Sequence, residues 1–554
     1  MAHPMFVKHQ DLLASAVHAI ESRGCWSPYR DELADYGGEA AVEAGRKAFF
    51  EAYPDAQFYL DQPGFVGRGG GEVSPYGVTL NVSYPKCSAD ALIATAKAAV
   101  PTWAKAGPDV RAAVCAEALE RLNASSIELA FATMHTTGQS FALAFRDAGP
   151  RAQERGLEAV ACAWREMKHV PYRATWEKTR GSRTPLKLEK RYTVMPRGVA
   201  LVYSCATAPT WGSYPGIFAS LATGNAVVVK PHPEAILPLA ITVAHIRQTL
   251  KDAGFDPDLA SLLVDTAEAP VARDVALKSD IGIIDYAGRA EFGNWLEDNV
   301  RDALLFTEKP GVTCIVVDGA SDYVAMLDNI ALSLVTNSGQ RRGTPQAILV
   351  SQQGIHTPSV TIPAERFGPD LARAIGRLVE DTATACELLG AIRSPATLAQ
   401  LAALAETGET LRASEKIVHP QWPEAQVRTP LLLDVPADAG DVWMEEQLAP
   451  VAFVVATPTT AQSLAFAERA IREKGALALS IYSDNENIVQ LAEEVSLRTG
   501  TTLAINLTGT VLANESIGLS DYRASGLNPA AHGCLGDAGF VAGRFVVVES
   551  YRNG

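Results

Sequence analysis

A chain of 554 residues is long enough for two large α/β domains with a small appendage, or for three to four average ones. Its 48 basic against 63 acidic residues, a net charge of −15 without any Lys/Arg-rich run, argue against a nucleic-acid partner and against a basic membrane-surface helix. Hydrophobic content of 47% and charged content of 20% are those of a soluble globular protein rather than a disordered or fibrous one.

No apolar stretch of about eighteen residues occurs, so no transmembrane helix is expected. The opening residues Met1, His3, Lys8, His9 and Asp11 lack a signal pattern, which predicts a cytoplasmic location. The eight cysteines (Cys25, Cys87, Cys115, Cys162, Cys205, Cys314, Cys386 and Cys534) are scattered singly, encoding neither a disulfide framework nor a zinc site. The ten histidines form no i, i+4 pair with a carboxylate, and no metal is implied.

In chain order, Leu12, Leu13, Ala16 and Ile20 predict an opening helix. Gly67 to Gly71 reads as a surface loop, since no helix with a Lys-Ser/Thr start follows to make it a phosphate cradle. A short strand is expected at Val78, Leu80 and Val82, then a helix capped by Ser88 and amphipathic helices over 109–123 and 126–135. Residues 175–194 have the turn-and-strand look of a hairpin. From Val194 apolar runs (199–203, 227–229, 281–284) alternate with helical stretches, the pattern of a parallel sheet covered on both faces. A second alternation runs from 312–317 through 347–350, 431–433, 451–455 and 477–482 to 503–506. The tail 539–548 reads as a lone strand, whose unpaired edge suits a subunit contact.

Three segments, in this order and spacing, carry a resemblance: Gly224-Asn225-Ala226-Val227-Val228-Val229-Lys230-Pro231, Glu308-Lys309-Pro310-Gly311 and Asn337-Ser338-Gly339-Gln340. They resemble the cofactor-lysine segment, the general-base segment and the nucleophile loop of the aldehyde dehydrogenase superfamily. Most of the chain takes part, since Thr137-Gly138-Gln139, residues 285–293 and 446–451 and the last strand also fall where that family places its elements. The opening His3-Pro4-Met5-Phe6, then Gly24-Cys25-Trp26-Ser27-Pro28-Tyr29, Trp176-Glu177-Lys178 and Thr344-Pro345-Gln346 look like its phenylacetic acid degradation (PaaN) branch.

The resemblance implies an α/β fold with a Rossmann-like cofactor lobe (1–174 and 195–307), an α/β catalytic lobe (308–507) and a β oligomerisation arm (175–194 and 525–554), assembling as a homodimer or a dimer of dimers. It also implies a thiolate attacking an aldehyde, an oxyanion held by Asn and a backbone N–H, hydride transfer to NAD(P), and a Glu activating water. Carried over residue by residue, Glu308 takes the general-base position, Lys230 and Glu446 the cofactor ribose, and Gly288, Arg289 and Gly293 the pyrophosphate loop. The family's Asn-x-Gly-Gln-x-Cys, however, reads Asn337-Ser338-Gly339-Gln340-Arg341-Arg342 here, so Arg342 stands at the cysteine. Thr207 stands at the oxyanion asparagine, Arg289 at a pyrophosphate-facing serine, Pro233 at a carboxylate and Leu448 at a Phe. Cys205 and Cys314 are read as buried structural residues.

A guanidinium in a dry cleft requires an acidic partner. Arg342 is expected either to fold onto Glu308 or, with Arg341 and Arg289, to bind a carboxylate, phosphate or coenzyme A ligand; the remaining option is a remodelled loop with arginines in solvent. The favoured function is a family member lacking the cysteine, a non-redox or degenerate enzyme acting on an anionic, aromatic-pathway or thioester substrate, with NAD(P) as candidate cofactor at a degraded site. The alternatives are a working NAD(P)-dependent semialdehyde dehydrogenase of aromatic degradation and a non-catalytic partner subunit.

Overall fold

The computed structural model describes residues 3–179, 181, 185–512, 527–531 and 538–554. Cys534 and part of the C-terminal arm segment lie outside the described residues.

The apolar runs after Val194 become a five-stranded, wholly parallel sheet in the order Ala260–Leu262, Ala226–Lys230, Val199–Tyr203, Ile281–Ala287, Leu304–Glu308. The two strands nearest its centre, Val199–Tyr203 and Ala226–Lys230, are buried at every residue, which explains why their sequences do not alternate. Strand order reverses between Val199–Tyr203 and Ile281–Ala287. In an open α/β sheet that switch point leaves a crevice beyond the carboxyl ends of the strands.

The second alternation is a seven-stranded sheet ordered Glu409–Arg412, Leu431–Pro436, Val451–Thr457, Pro345–Ser351, Thr313–Val317, Ala478–Tyr482, Thr502–Ile505, antiparallel only at its first pair. Successive residues serve opposite faces: Ile315, Val317, Ile348 and Val350 join the large core shared with the first sheet, while Cys314, Val316, Ala347 and Leu349 join a separate core on the far side. Burial pushes the Cys314 thiol up to about 12, consistent with a structural role.

Around these sheets, the opening helix Pro4–Ser22 buries Leu13, Ala16 and Ile20 as their spacing predicts. Helices Ala89–Lys105, Pro108–Ala124 and Ser126–Thr137 match the expected positions. The last two differ in character, because Pro108–Ala124 and Ser126–Thr137 are buried along most of their length between other helices rather than along one stripe.

Two local readings are corrected. Residues 78–82 form no strand; Leu80 and Val82 are buried, but the strand is Tyr84–Cys87. Its partner is Phe65–Gly69, which takes in Gly67 to Gly69 of the run read as a loop, because backbone pairing does not require side chains. The expected hairpin is present as Arg173–Lys178 against Leu186–Pro196. The tail strand is displaced: residues 538–542 make a short helix, and Phe545–Asn553 pairs antiparallel with Leu186–Pro196 to complete a three-stranded arm. Val546, Val547 and Val548 on that strand stay exposed. Among the described residues no helix is long and apolar enough to cross a membrane.

Candidate active site

Helix Tyr323–Val335 ends in a short turn in which Asn337, Ser338 and Gly339 have φ of 54°, 48° and 64°, three successive left-handed residues. For the two that carry a side chain this conformation costs about 1 kcal/mol or more each, so the surroundings must impose it. They do: the Ser338 hydroxyl donates to Leu389 O at 2.9 Å, and Gln340 Nε2 donates to Ala391 O at 3.1 Å. At Gly339 a Cβ would stand 2.7 Å from Ala449 O. The turn thereby delivers residues 341 and 342 to the crevice.

Arg342 does not point to solvent. Its side chain is 5% exposed, and Nη1 lies 3.1 Å from Glu308 Oε1 at the carboxyl end of strand Leu304–Glu308. The guanidinium also approaches Trp211, with Cζ 5.5 Å from the ring centroid. Burial pulls the Arg342 pKa down, but Glu308, then Cys205 and Tyr286, outweigh it and hold the group above its ordinary value. Arg341 turns the other way, toward Asp147 at 3.6 Å.

The opposite wall is the start of helix Pro209–Ala222, whose Pro209 occupies a first-turn position where a missing N–H is harmless. Gln139 Nε2 donates to Thr207 O at 2.8 Å and fixes that turn. Thr207 Oγ1 lies 3.9 Å from Cys205 Sγ. A Cβ on Gly212 would stand 3.2 Å from Arg342 Nη2 and 3.7 Å from Cys205 Sγ, so guanidinium and thiol flank one gap of atomic size. The crevice thus gathers Glu308, Arg342 and Thr207, the three residues assigned to chemistry from the sequence.

Farther along the same sheet edge, Lys230 is 5% exposed and its Nζ donates to Asp265 Oδ1 at 2.6 Å and to Pro231 O at 3.1 Å. Burial lowers its pKa and Asp265 counters part of that. Gly288 and Gly293 are required by the chain's own packing: a Cβ at Gly288 would collide with Tyr286 Oη, and one at Gly293 would lie 2.6 Å from Lys309 Cδ. Arg289 is exposed at the start of helix Ala290–Asn299 and forms no ion pair among the described residues. Glu446 is different: its Oε1 is buried and accepts no hydrogen bond among the described residues.

The family's sequence model for "Aldehyde dehydrogenase family" matches residues 78–533. The chain belongs to the aldehyde dehydrogenase family. A NAD-dependent aldehyde dehydrogenase from Burkholderia multivorans is similar along its whole length, at 45% identity and a TM-score of 0.97, with 100% of both chains covered. An NADP-dependent glyceraldehyde-3-phosphate dehydrogenase from Bacillus halodurans C-125, complexed with NADP, shares the fold at 18% identity and a TM-score of 0.69, over 88% of this chain and 96% of its own. Curated relatives are matched over about a third of their length or less. A γ-glutamyl phosphate reductase from Leuconostoc citreum is 28% identical over 159 residues, 28% of this chain and 36% of its own.

Glu446 lies in the segment before strand Val451–Thr457. Burial pushes its carboxyl up to about 7, with Arg289 pulling the other way. Between the ordinary carboxylate range and pH 7 the folded chain therefore holds a proton that the unfolded chain has released, so stability falls as pH rises through that window. Glu446→Gln is expected to remove about 3 kcal/mol of this stability change between pH 4.5 and 8, measured as denaturation midpoints; an unchanged profile would show an ordinary carboxyl.

Sequence reasoning missed Trp211, Asp147, Asp265 and Arg155. Asp265 follows the apolar run Leu262-Leu263-Val264 and could have been suspected as a strand-end carboxylate near Lys230. Nothing local marks Arg155, which lies inside the helix Pro150–Lys168.

Proposed function

We propose that this aldehyde dehydrogenase family member does not oxidise aldehydes through a thiohemiacetal, and that its crevice serves a small anionic substrate in a non-redox role. The buried contact of Arg342 with Glu308 carries this reading. A permanently cationic fork occupies the place where the family needs a thiolate, and it holds the carboxylate that would activate water. The dinucleotide positions point the same way. An NAD(P) ribose would need the Lys230 ammonium that Asp265 already binds below the surface, and Tyr286 and Lys309 pack against Gly288 and Gly293. Only the unpartnered Glu446 oxygen suits a ribose hydroxyl. These residues do not fit the dinucleotide in the family's manner.

Incubated with aliphatic and aromatic aldehydes and either NAD+ or NADP+, the purified protein is expected to produce no reduced nicotinamide above a protein-free blank, followed by absorbance. Steady turnover of any aldehyde would sink this reading. It would favour the second one, an NAD(P)-dependent semialdehyde dehydrogenase of aromatic breakdown. That reading is supported by the full-length 45% identity to a NAD-dependent aldehyde dehydrogenase and by the place of Cys205 beside Arg342. Assembly as a homodimer or dimer of dimers, through the arm bearing Val546, Val547 and Val548, belongs to the same proposal. Light scattering on that preparation should give twice or four times the chain mass, and a monomer would refute it.

A further inference from the structure

Beside the gap at Arg342 opens a cavity of about 510 Å³, sharing Asp147, Trp211 and Arg341 with the small space that reaches Thr207 and Arg342. Leu143, Leu332 and Leu388 supply apolar wall. Of its four arginines, Arg146 is exposed, Arg151 lies 3.9 Å from Asp147 and 4.0 Å from Asp31, and Arg341 lies 3.6 Å from Asp147. Arg155 has no such neutralisation. It is 6% exposed, its guanidinium stacks 3.9 Å above the Trp211 ring, its Nε has no hydrogen-bond partner, and it forms no ion pair among the described residues. Burial raises the pKa of the neighbouring Glu154 carboxyl, and the cation that counters it is Arg151, not Arg155.

A buried guanidinium without a counter-charge is costly, and stacking on an indole recovers only part of that. Stacking also holds the plane of the fork still, which favours a planar, two-oxygen acceptor. We propose that Arg155 is the specificity-determining residue of this cavity, taking the carboxylate of an organic acid whose apolar body lies along Trp211 and the leucine wall. The inference rests on the anionic-substrate reading above and names its ligand class: a carboxylic acid with a ring or short chain, rather than a phosphate ester.

Calorimetric titration of the full chain with benzoate, adipate and phenyl phosphate tests this without any turnover. Benzoate or adipate should bind more tightly than phenyl phosphate. Arg155→Met should weaken carboxylate binding by about 100-fold and Arg155→Lys by about 10-fold, since a charged two-point contact becomes none or a single point. Equal affinity of Arg155→Met and the parent, no carboxylate binding to the parent, or preference for phenyl phosphate would each overturn the assignment. Should Arg155→Met fail to fold, a crystal of the parent soaked with 4-bromobenzoate decides. Bromine signal in the cavity with the carboxylate on Arg155 supports the assignment, and bromine elsewhere or nowhere overturns it. Failure here is separable from failure of the preceding reading: aldehyde turnover would refute the non-redox role while leaving carboxylate binding at Arg155 standing, and the converse also holds.

Discussion

Arg342→Ala is expected to lower the stability of the folded chain by about 3 kcal/mol, the lower end for breaking a buried ion pair, because the Glu308 side chain keeps 22% of its exposure and recovers some hydration. Loss of the cation over Trp211 adds to the same direction. Glu308→Gln removes the charge that faces the guanidinium and should also destabilise the chain. The combined Arg342→Met, Glu308→Gln variant should recover at least half of the summed losses, because neither charge is left alone. Denaturant midpoints of the four proteins measure this coupling. Strictly additive losses would mean that the arginine turns away from Glu308 in solution, and the account of a plugged crevice would fall with it.

A larger loss is expected at the other end of the chain. Arg544 is fully buried and grips Asp285 with two bonds, Nη1 to Oδ2 at 2.7 Å and Nη2 to Oδ1 at 2.5 Å. It also donates to Ser220 Oγ at 2.8 Å and to Phe540 O at 3.0 Å, and lies over the rings of Phe306 and Phe540. One side chain thus ties the residues preceding the last strand to the central parallel sheet. Arg544→Met should cost about 4 kcal/mol, since Asp285 would remain buried without its partner. Hydrogen exchange should quicken across Phe545–Asn553 and across Leu186–Pro196, with which it pairs, before the central strands respond. If the midpoint hardly moves, or exchange quickens only at residue 544, the clamp is not what holds the arm to the sheet.

These two arginines show where local reading stops. Arg342 was conspicuous in the sequence, because a motif with an interrupted pattern advertises the interrupted position; three destinations for it remained open, and the contact with Glu308 chose among them. Arg544 was not conspicuous at all. Its partner lies 259 residues away, and no periodicity of a strand or helix carries information over such a distance. Arg155 is the same case inside a helix: a basic residue at that position predicts a solvated face, and only the neighbours Trp211 and the cavity show otherwise.

By itself the sequence determined the α/β class, the hairpin and most helix positions, because fully buried parallel strands require unbroken apolar runs and a helix requires its 3.6-residue repeat. It also placed Arg342 in a loop that resembles the family's nucleophile motif. Tertiary structure decided the rest. The first part of the Gly67 to Gly71 run joined the strand Phe65–Gly69 through backbone bonds to Tyr84–Cys87, for which side chains leave no signature. Lys230 was committed to Asp265, and Arg342 to Glu308. The physical reason is common to all three: burial is written residue by residue along the chain, whereas the partner of a buried charge or an unpaired amide is whatever distant segment packing brings within about 3 Å.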